Sequence, residues 1–381
     1  MGMGVALLLA ACGGGAAPAA TPASSPPAAS AAKPAASTAA PSSASAKPAA
    51  SAASGASAKP AASAPAGASG AANGPLTKLR FRYPVQTGAW IPFMIAKDAN
   101  IFPKYGLDVD VQLLQSTLMV PAMLNGEMDI AGTSAETIVA AYAKGTPFNI
   151  IGAMIPQALG YLVVTPDITK VEDLKGQTVV ITGFGNVSEF ALRRILAKSN
   201  LELGKDVQVR GVGTQAAEIA AIATPAGGAK GFMAYPPDDI LAKRALPGAH
   251  SIFDVLDLKQ PYIQASIFTK KSYIESNRPT LIKFLQATSE AIAIEKKDHD
   301  LAARTFMKYA KLDDNEAADR AVDFYGGVAP PVVGVSPEGV QNVMEVVKAT
   351  TPEAANLDPK AVIDTSLTDE ITKSGFVNQL K

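Results

Sequence analysis

The sequence predicts an α/β fold arranged as two lobes. Short runs rich in β-branched and aromatic residues alternate with segments of helical period from Leu79 to Thr269, the order that lays helices on mostly parallel sheets. The part from Leu76 onward has about 300 residues of ordinary composition, enough for two lobes of common domain size. Small polar turns close the strands of both halves, where open α/β sheets place their ligands.

The elements follow in order. Leu79-Arg80-Phe81-Arg82-Tyr83 alternates as a strand with one buried face. A helix follows around Ile91 to Asn100, with Pro92 in its first turn, where proline is tolerated. Leu107 to Leu114 is a strand, and Leu118 to Leu124 a helix that Asn125-Gly126 caps in the left-handed conformation. Met128 to Ala131 is a short buried strand. Thr133-Ser134 starts a helix through Lys144, and Glu136 suits its positive end. Phe148 to Met154 and Tyr161 to Thr165 are strands. In the second half, Val171 to Gly176 is a short helix, Thr178 to Thr182 a strand, and Gly183-Phe184-Gly185-Asn186-Val187-Ser188 a turn into a helix through Ser199. Val207 to Val212, Ala216 to Thr224 and Gly231 to Tyr235 continue as strand, helix and strand. Tyr262 to Thr269 runs back to the first lobe. Helices dominate from Arg278, where Leu281, Leu285, Thr288 and Ile292 share one face.

The amino-terminal fifth differs in kind. Val5-Ala6-Leu7-Leu8-Leu9-Ala10-Ala11-Cys12 looks like a bacterial lipobox, a signal cut before a cysteine that then carries a lipid; its leader Met1-Gly2-Met3-Gly4 lacks the usual positive charge. Cys12 is the chain's single cysteine. From Gly13 to Pro75 the chain is almost all Ala, Pro, Ser and Gly, with Ala-Lys-Pro-Ala-Ala-Ser repeated at Ala32, Ala46 and Ala58. Such a segment has too little apolar surface to offset the entropy of ordering. It reads as a tether, roughly 190 Å long if fully extended. The expected organisation is a signal segment at 1–12, a tether at 13–75, a first lobe at 76–165 and 263–381, and a second lobe at 166–262.

Composition excludes several functions. The three lysines of the tether leave 31 basic against 34 acidic residues beyond it, which argues against a nucleic-acid surface. The two histidines, His250 and His299, have no partners at metal-ligand spacing. Neither a nucleophile elbow nor a phosphate-binding Walker loop is present. No catalytic residue, metal or cofactor is expected. The remaining candidates are the polar turns, where helix starts present free N–H groups. They are Gln86, Thr87 and Trp90; Ser116; Thr133 and Ser134; and Phe184, Asn186 and Ser188 in the second lobe.

Three stretches, in this order and spacing, resemble the extracytoplasmic solute-binding proteins of ABC importers. The group includes binders of nitrate, taurine, alkanesulfonates and the thiamine pyrimidine precursor. The stretches are Ala96 to Asp110, with Phe102 and Gly106-Leu107; Met123-Leu124-Asn125-Gly126-Glu127-Met128-Asp129-Ile130-Ala131; and Val171 to Val179, with Asp173-Leu174-Lys175-Gly176. The resemblance spans roughly Leu79 to Leu301. It implies a periplasmic-binding-protein-like fold of type II, with a ligand cleft between lobes joined by crossings near Val164–Asp167 and Gln260–Ile267. It implies that the candidate turns face each other across that cleft, with Tyr235 adding a ring near a crossing. It also implies a monomer that binds a small organic ligand, closes on it and docks on an ABC permease outside the cytoplasm, held to the bacterial membrane through Cys12. The ligand expected is neutral or monoanionic, because the candidate turns contain no arginine; Trp90, Phe184 and Tyr235 could stack on a planar ring, which suits an aromatic or heteroaromatic ligand, and a sulfonate also fits. Two other readings share the fold: a ligand-sensing lipoprotein, and a pyrimidine-precursor synthase. The latter resemblance depends on Cys and His residues that these turns lack.

Overall fold

The first sheet begins where the alternation is clearest. β1 (Thr77–Tyr83) buries Leu79, Phe81 and Tyr83 and pairs in parallel with β2 (Leu107–Leu113) and with β3 (Ile130–Thr133). The computed structural model describes residues 74–380. The expected signal segment, its Cys12 and nearly all of the tether lie outside the described residues. Between β1 and β3 come α1 (Ile91–Asp98), α2 (Ile101–Lys104) and α3 (Ser116–Leu124). Pro92 lies in the first turn of α1, and Gly126 adopts a φ of 73° just past α3, as the sequence predicts. α4 (Ala135–Ala143) then leads to β4 (Phe148–Gln157).

The second sheet contains β5 (Tyr161–Val164), β6 (Thr178–Ile181), β7 (Gln208–Gly211), β8 (Gly231–Ala234) and β9 (His250–Asp254). Its helices are α5 (Val187–Lys198), α6 (Gln215–Ala223) and α7 (Asp238–Ala245). β10 (Pro261–Lys270) returns to the first sheet, followed by α8 (Lys271–Lys297), α9 (His299–Ala310), α10 (Asn315–Val328), α11 (Pro337–Val347) and α12 (Ser366–Lys373).

The strand orders are β2-β1-β3-β10-β4 and β7-β6-β8-β5-β9. These are the same order twice, with one antiparallel strand in each sheet. In each sheet that strand, β10 or β5, is the first one laid down after the chain crosses from the other sheet. The crossings lie at 158–160 and 255–260, earlier in the chain than the expected Val164–Asp167 and Gln260–Ile267. The boundary expected at residue 165 is corrected with them, because β5 pairs with β8 and β9 in the second sheet. Leu162, Val163 and Val164 are buried on both faces. A run buried on both sides has no period that tells which sheet it enters.

Aromatic packing fixes the first sheet under its helices. Phe93 of α1 stacks on Phe81 at 4.2 Å, and Phe284 of α8 covers Phe93 and Phe102 at 5.8 Å each. Offset rings at such distances stabilise beyond their buried area. α11 bridges the two halves. It packs on α4 and β10 on one side and α5 on the other. Asn342 donates to the Pro261 carbonyl at 2.7 Å, and Glu345 pairs with Arg194 at 2.6 Å. The carboxyl-terminal segment is therefore not confined to the first lobe.

Gly132 on β3 lies directly under the Trp90 indole, and a side chain there would overlap the ring. Gly132→Val is expected to cost about 1–3 kcal/mol, the usual penalty of overpacking, read as a lowered urea midpoint with an unchanged slope. An unchanged midpoint would contradict the packing described.

Candidate ligand site

The strand order sends the carboxyl ends of β1, β3, β6 and β8 toward the junction of the two sheets. Their following helices therefore begin there, bringing polar first turns together. Asn186 caps α5: its Oδ1 accepts from the Ser188 and Glu189 N–H groups at 3.0 and 3.4 Å, and its Nδ2 donates to Thr182 Oγ1 at 3.1 Å. A hydroxyl chain continues from Thr182 through Ser188 Oγ, at 3.1 Å, to the Tyr235 hydroxyl, at 3.2 Å. Both Ser188 and Tyr235 are buried.

From the first sheet, Glu136 reaches into this junction in the opening turn of α4. Its Oε1 accepts from the Tyr262 hydroxyl at 2.9 Å, and the Ser134 hydroxyl and Val187 N–H also face the carboxyl. The Tyr262 ring tilts against Phe190 of α5 at 4.8 Å. Burial dominates and raises the Glu136 pKa, with those hydrogen bonds opposing it. The carboxyl of Glu136 thus sits where the first turn of α5 would otherwise attract an anion.

A second acidic group adjoins Tyr235. Glu218, in the first turn of α6, is wholly buried, and neither carboxyl oxygen has a hydrogen-bond partner. Burial and the charge of Asp238 push it up to about 9. Asp238, the first residue of α7, is pushed up to about 7 by burial and by Asp239. Asp239 itself takes the guanidinium of Arg320, with Nε and Nη2 at 2.9 and 2.8 Å from Oδ2. That guanidinium lies 4.9 Å over the Tyr161 ring and 5.7 Å from Phe324. Tyr325, beside it on α10, packs on Gly88 and feels both aspartates.

The candidate residues fall into three groups. Asn186, Ser188 and Tyr235 form one hydrogen-bonded set, which Ser134 approaches through Glu136. Thr133 is buried with its Oγ1 unpartnered. Gln86 accepts from the Tyr83 hydroxyl at 3.2 Å, and Thr87 precedes the turn Gly88–Trp90. Trp90 is 3% exposed and packs with Tyr83 and Phe93, so its ring is core and not a free stacking surface. Ser116 is exposed at the start of α3, and Phe184 is 53% exposed, neither bonded to the set. Two cavities open elsewhere on the first lobe. One of about 260 Å³ includes Tyr142, Asn149 and Lys271, and one of about 430 Å³ includes Lys78, Arg80 and Asp129; neither touches a candidate residue. No cluster of His, Cys, Asp and Glu suited to a metal occurs among the described residues, and no described helix is long and apolar enough to cross a membrane.

The model of the NMT1/THI5-like proteins matches residues 88–300, more than half of the chain. The chain belongs to the NMT1/THI5-like family. A putative binding protein of Bacillus subtilis (strain 168), YtlA, is 25% identical over 224 residues, which cover 57% of this chain and 65% of that relative. The chain thus spans just under two thirds of the curated relative it matches. Among solved structures, the periplasmic aliphatic sulphonate binding protein SsuA from Escherichia coli superposes with a TM-score of 0.63 at 21% identity, covering 76% of this chain and 92% of that one. The periplasmic nitrate-binding protein NrtA from Synechocystis PCC 6803 superposes with a TM-score of 0.60 at 15% identity, covering 80% and 90%. At these identities the likenesses establish the fold. This NMT1/THI5-like chain has the two-lobed, periplasmic-binding-protein-like architecture that its sequence predicts.

Sequence reasoning missed Glu218, Asp238, Arg320, Tyr325 and Tyr262 as members of the junction. Carboxyls in a first helical turn read as ordinary complements to the helix dipole, and Arg320 lies 81 residues from the aspartate it meets.

Glu295 on α8 is also buried with both oxygens unpartnered, and burial pushes it up to about 8. Unfolded, it titrates near 4.5. The native chain therefore holds this proton more tightly than the unfolded chain. The resulting stability is fully present below that value and is lost as pH rises toward about 8. Glu218 acts in the same direction toward about 9. Glu295→Gln is expected to raise the melting temperature at pH 8 and leave it nearly unchanged at pH 4. A lower melting temperature at pH 8 would argue that the ionised carboxylate is stabilising.

Proposed function

We propose that this chain is the solute-binding component of an ABC importer, capturing a small organic ligand between its lobes and delivering it to a membrane permease. The observation that carries the reading is the hydroxyl chain Thr182–Ser188–Tyr235, whose Ser188 and Tyr235 are buried next to Val187, the residue whose N–H faces Glu136 of the other lobe. Family membership and the names of YtlA, SsuA and NrtA support it. The second lobe would contribute Asn186, Ser188 and Tyr235, and the first Gln86, Thr87, Thr133 and Ser134, with Ser116 and Phe184 at the rim. The lobes move about the crossings at 158–160 and 255–260. A ligand touching both walls holds them closed through its higher affinity for that state. The chain acts outside the cytoplasm as a monomer without catalysis, anchored through Cys12. The support for that anchor is the apolar run ending in Leu-Ala-Ala-Cys and the Ala/Pro/Ser segment behind it.

A thermal-shift screen of the purified protein tests capture, because a ligand that prefers the folded state must raise the melting temperature. Ser188→Ala and Tyr235→Phe are each expected to weaken the responding ligand about tenfold, the range for losing one buried hydrogen bond. Undiminished affinity in both variants would remove the site from the junction. For the anchor, lipid labelling in bacterial cells is expected in the native chain and absent in Cys12→Ser. Equal labelling in the two would end that part of the proposal.

A further inference from the structure

Two helices from different lobes meet through charge. α7 packs on α6, β5 and β9 of the second lobe, and α10 packs on α8, α9 and the Gly88–Trp90 turn of the first. Near the start of α7, the Asp239 carboxylate takes Nε and Nη2 of Arg320 at 2.9 and 2.8 Å. About 7.5 Å further along α7, Arg244 pairs with Glu316 at 2.6 Å and with Asp314, both at the start of α10. The helices thus run antiparallel and share two rungs, one buried at Asp239 and one exposed at Arg244 and Glu316.

The two rungs have opposite polarity. α7 presents a carboxylate and then a guanidinium, and α10 presents the complement in the matching order. Sliding the helices one rung in one direction would set Asp239 against Asp314 and Glu316. Sliding them the other way would set Arg244 against Arg320. Like charges meet in either case, so the pattern permits one register and penalises its neighbours. The buried rung also lies beside a crossing. Its guanidinium is 4.9 Å over the ring of Tyr161, the first residue of β5, and Phe324 of α10 packs on that ring at 5.4 Å. Any rotation about the crossings that parts α7 from α10 must break the rungs.

We propose that the α7–α10 ladder is an electrostatic latch, which sets the register in which the lobes meet and holds them together through the chain's own charges. The latch needs no ligand and goes beyond the proposed capture function. It fills the joined state in advance, so whatever the junction accepts binds more tightly by the fraction of chains already joined. The exposed rung is the one to alter. Removing Arg320 would strand a buried Asp239 charge and destabilise the fold for a different reason, whereas Arg244 and Glu316 are open to solvent.

Double electron–electron resonance on the full-length chain tests this, with spin labels at Thr117→Cys in the first lobe and Ala216→Cys in the second, in a Cys12→Ser background. The chain with an intact ladder is expected to give one narrow distance distribution. Arg244→Glu is expected to add a second distance population at least threefold above any present with the ladder intact, and Arg244→Gln a smaller one at the same distance. Arg244→Glu combined with Glu316→Arg and Asp314→Asn, which keeps an oxygen to cap α10, is expected to restore the narrow distribution. Raising NaCl to 1 M shortens the screening length to about 3 Å and is expected to shrink the population that Arg244→Glu creates. A distribution unchanged by Arg244→Glu overturns the latch. So does a second population that neither the compensating charges nor salt reduces, because the effect would then not be one of charge.

Discussion

Everything about this chain's junction follows from one topological constraint: each sheet is completed by a strand that arrives from the other. β5 enters the second sheet antiparallel to β8 and β9, and β10 enters the first antiparallel to β3 and β4. The chain must therefore cross twice, and the crossings lie side by side, with the Ala158 and Val255 N–H groups donating to the Gln260 and Gly160 carbonyls. Because the other strands of each sheet share one direction, their following helices start on the side that faces the other lobe. The polar first turns of α4, α5 and α7 are consequences of that geometry. So is the need to satisfy their N–H groups in a buried place.

The way those groups are satisfied sets the character of the site. Helix starts carry partial positive charge and commonly receive anions. Here the chain supplies its own acceptors. Asn186 caps α5, Glu136 faces Val187 N–H from the opposite lobe, and Glu218, Asp238 and Asp239 occupy the first turns of α6 and α7. The excess is acidic, and burial holds part of it protonated. α10 answers it with a single guanidinium, that of Arg320, which also ties the carboxyl-terminal segment to the second lobe. Arg244 of α7 adds an outer tie to Asp314 and Glu316 at the start of α10.

Much of the fold was legible in the sequence, because periodicity and turn chemistry are local. Pro92, Gly126 and the alternation at Leu79–Tyr83 each specify an element without help from the rest of the chain. The sheet that receives Tyr161–Val164 was not legible, since a strand buried on both faces carries no alternation. The site divides in the same way. Asn186, Ser188 and Tyr235 stand at turns that are readable one at a time, and they do meet. Trp90 stands in such a turn too, yet only the fold reveals Gly132 beneath its ring and puts that ring in the core. Glu218 and Arg320 owe their significance to burial and to a partner far along the chain, and neither leaves a mark in the local sequence.

The most direct measurement is a crystal structure of the protein grown with the compound that raises its melting temperature most. The account predicts density enclosed between the lobes, in contact with Ser188 and Tyr235. Density in the cavity lined by Lys78, Arg80 and Asp129, with the junction unaltered, would contradict it.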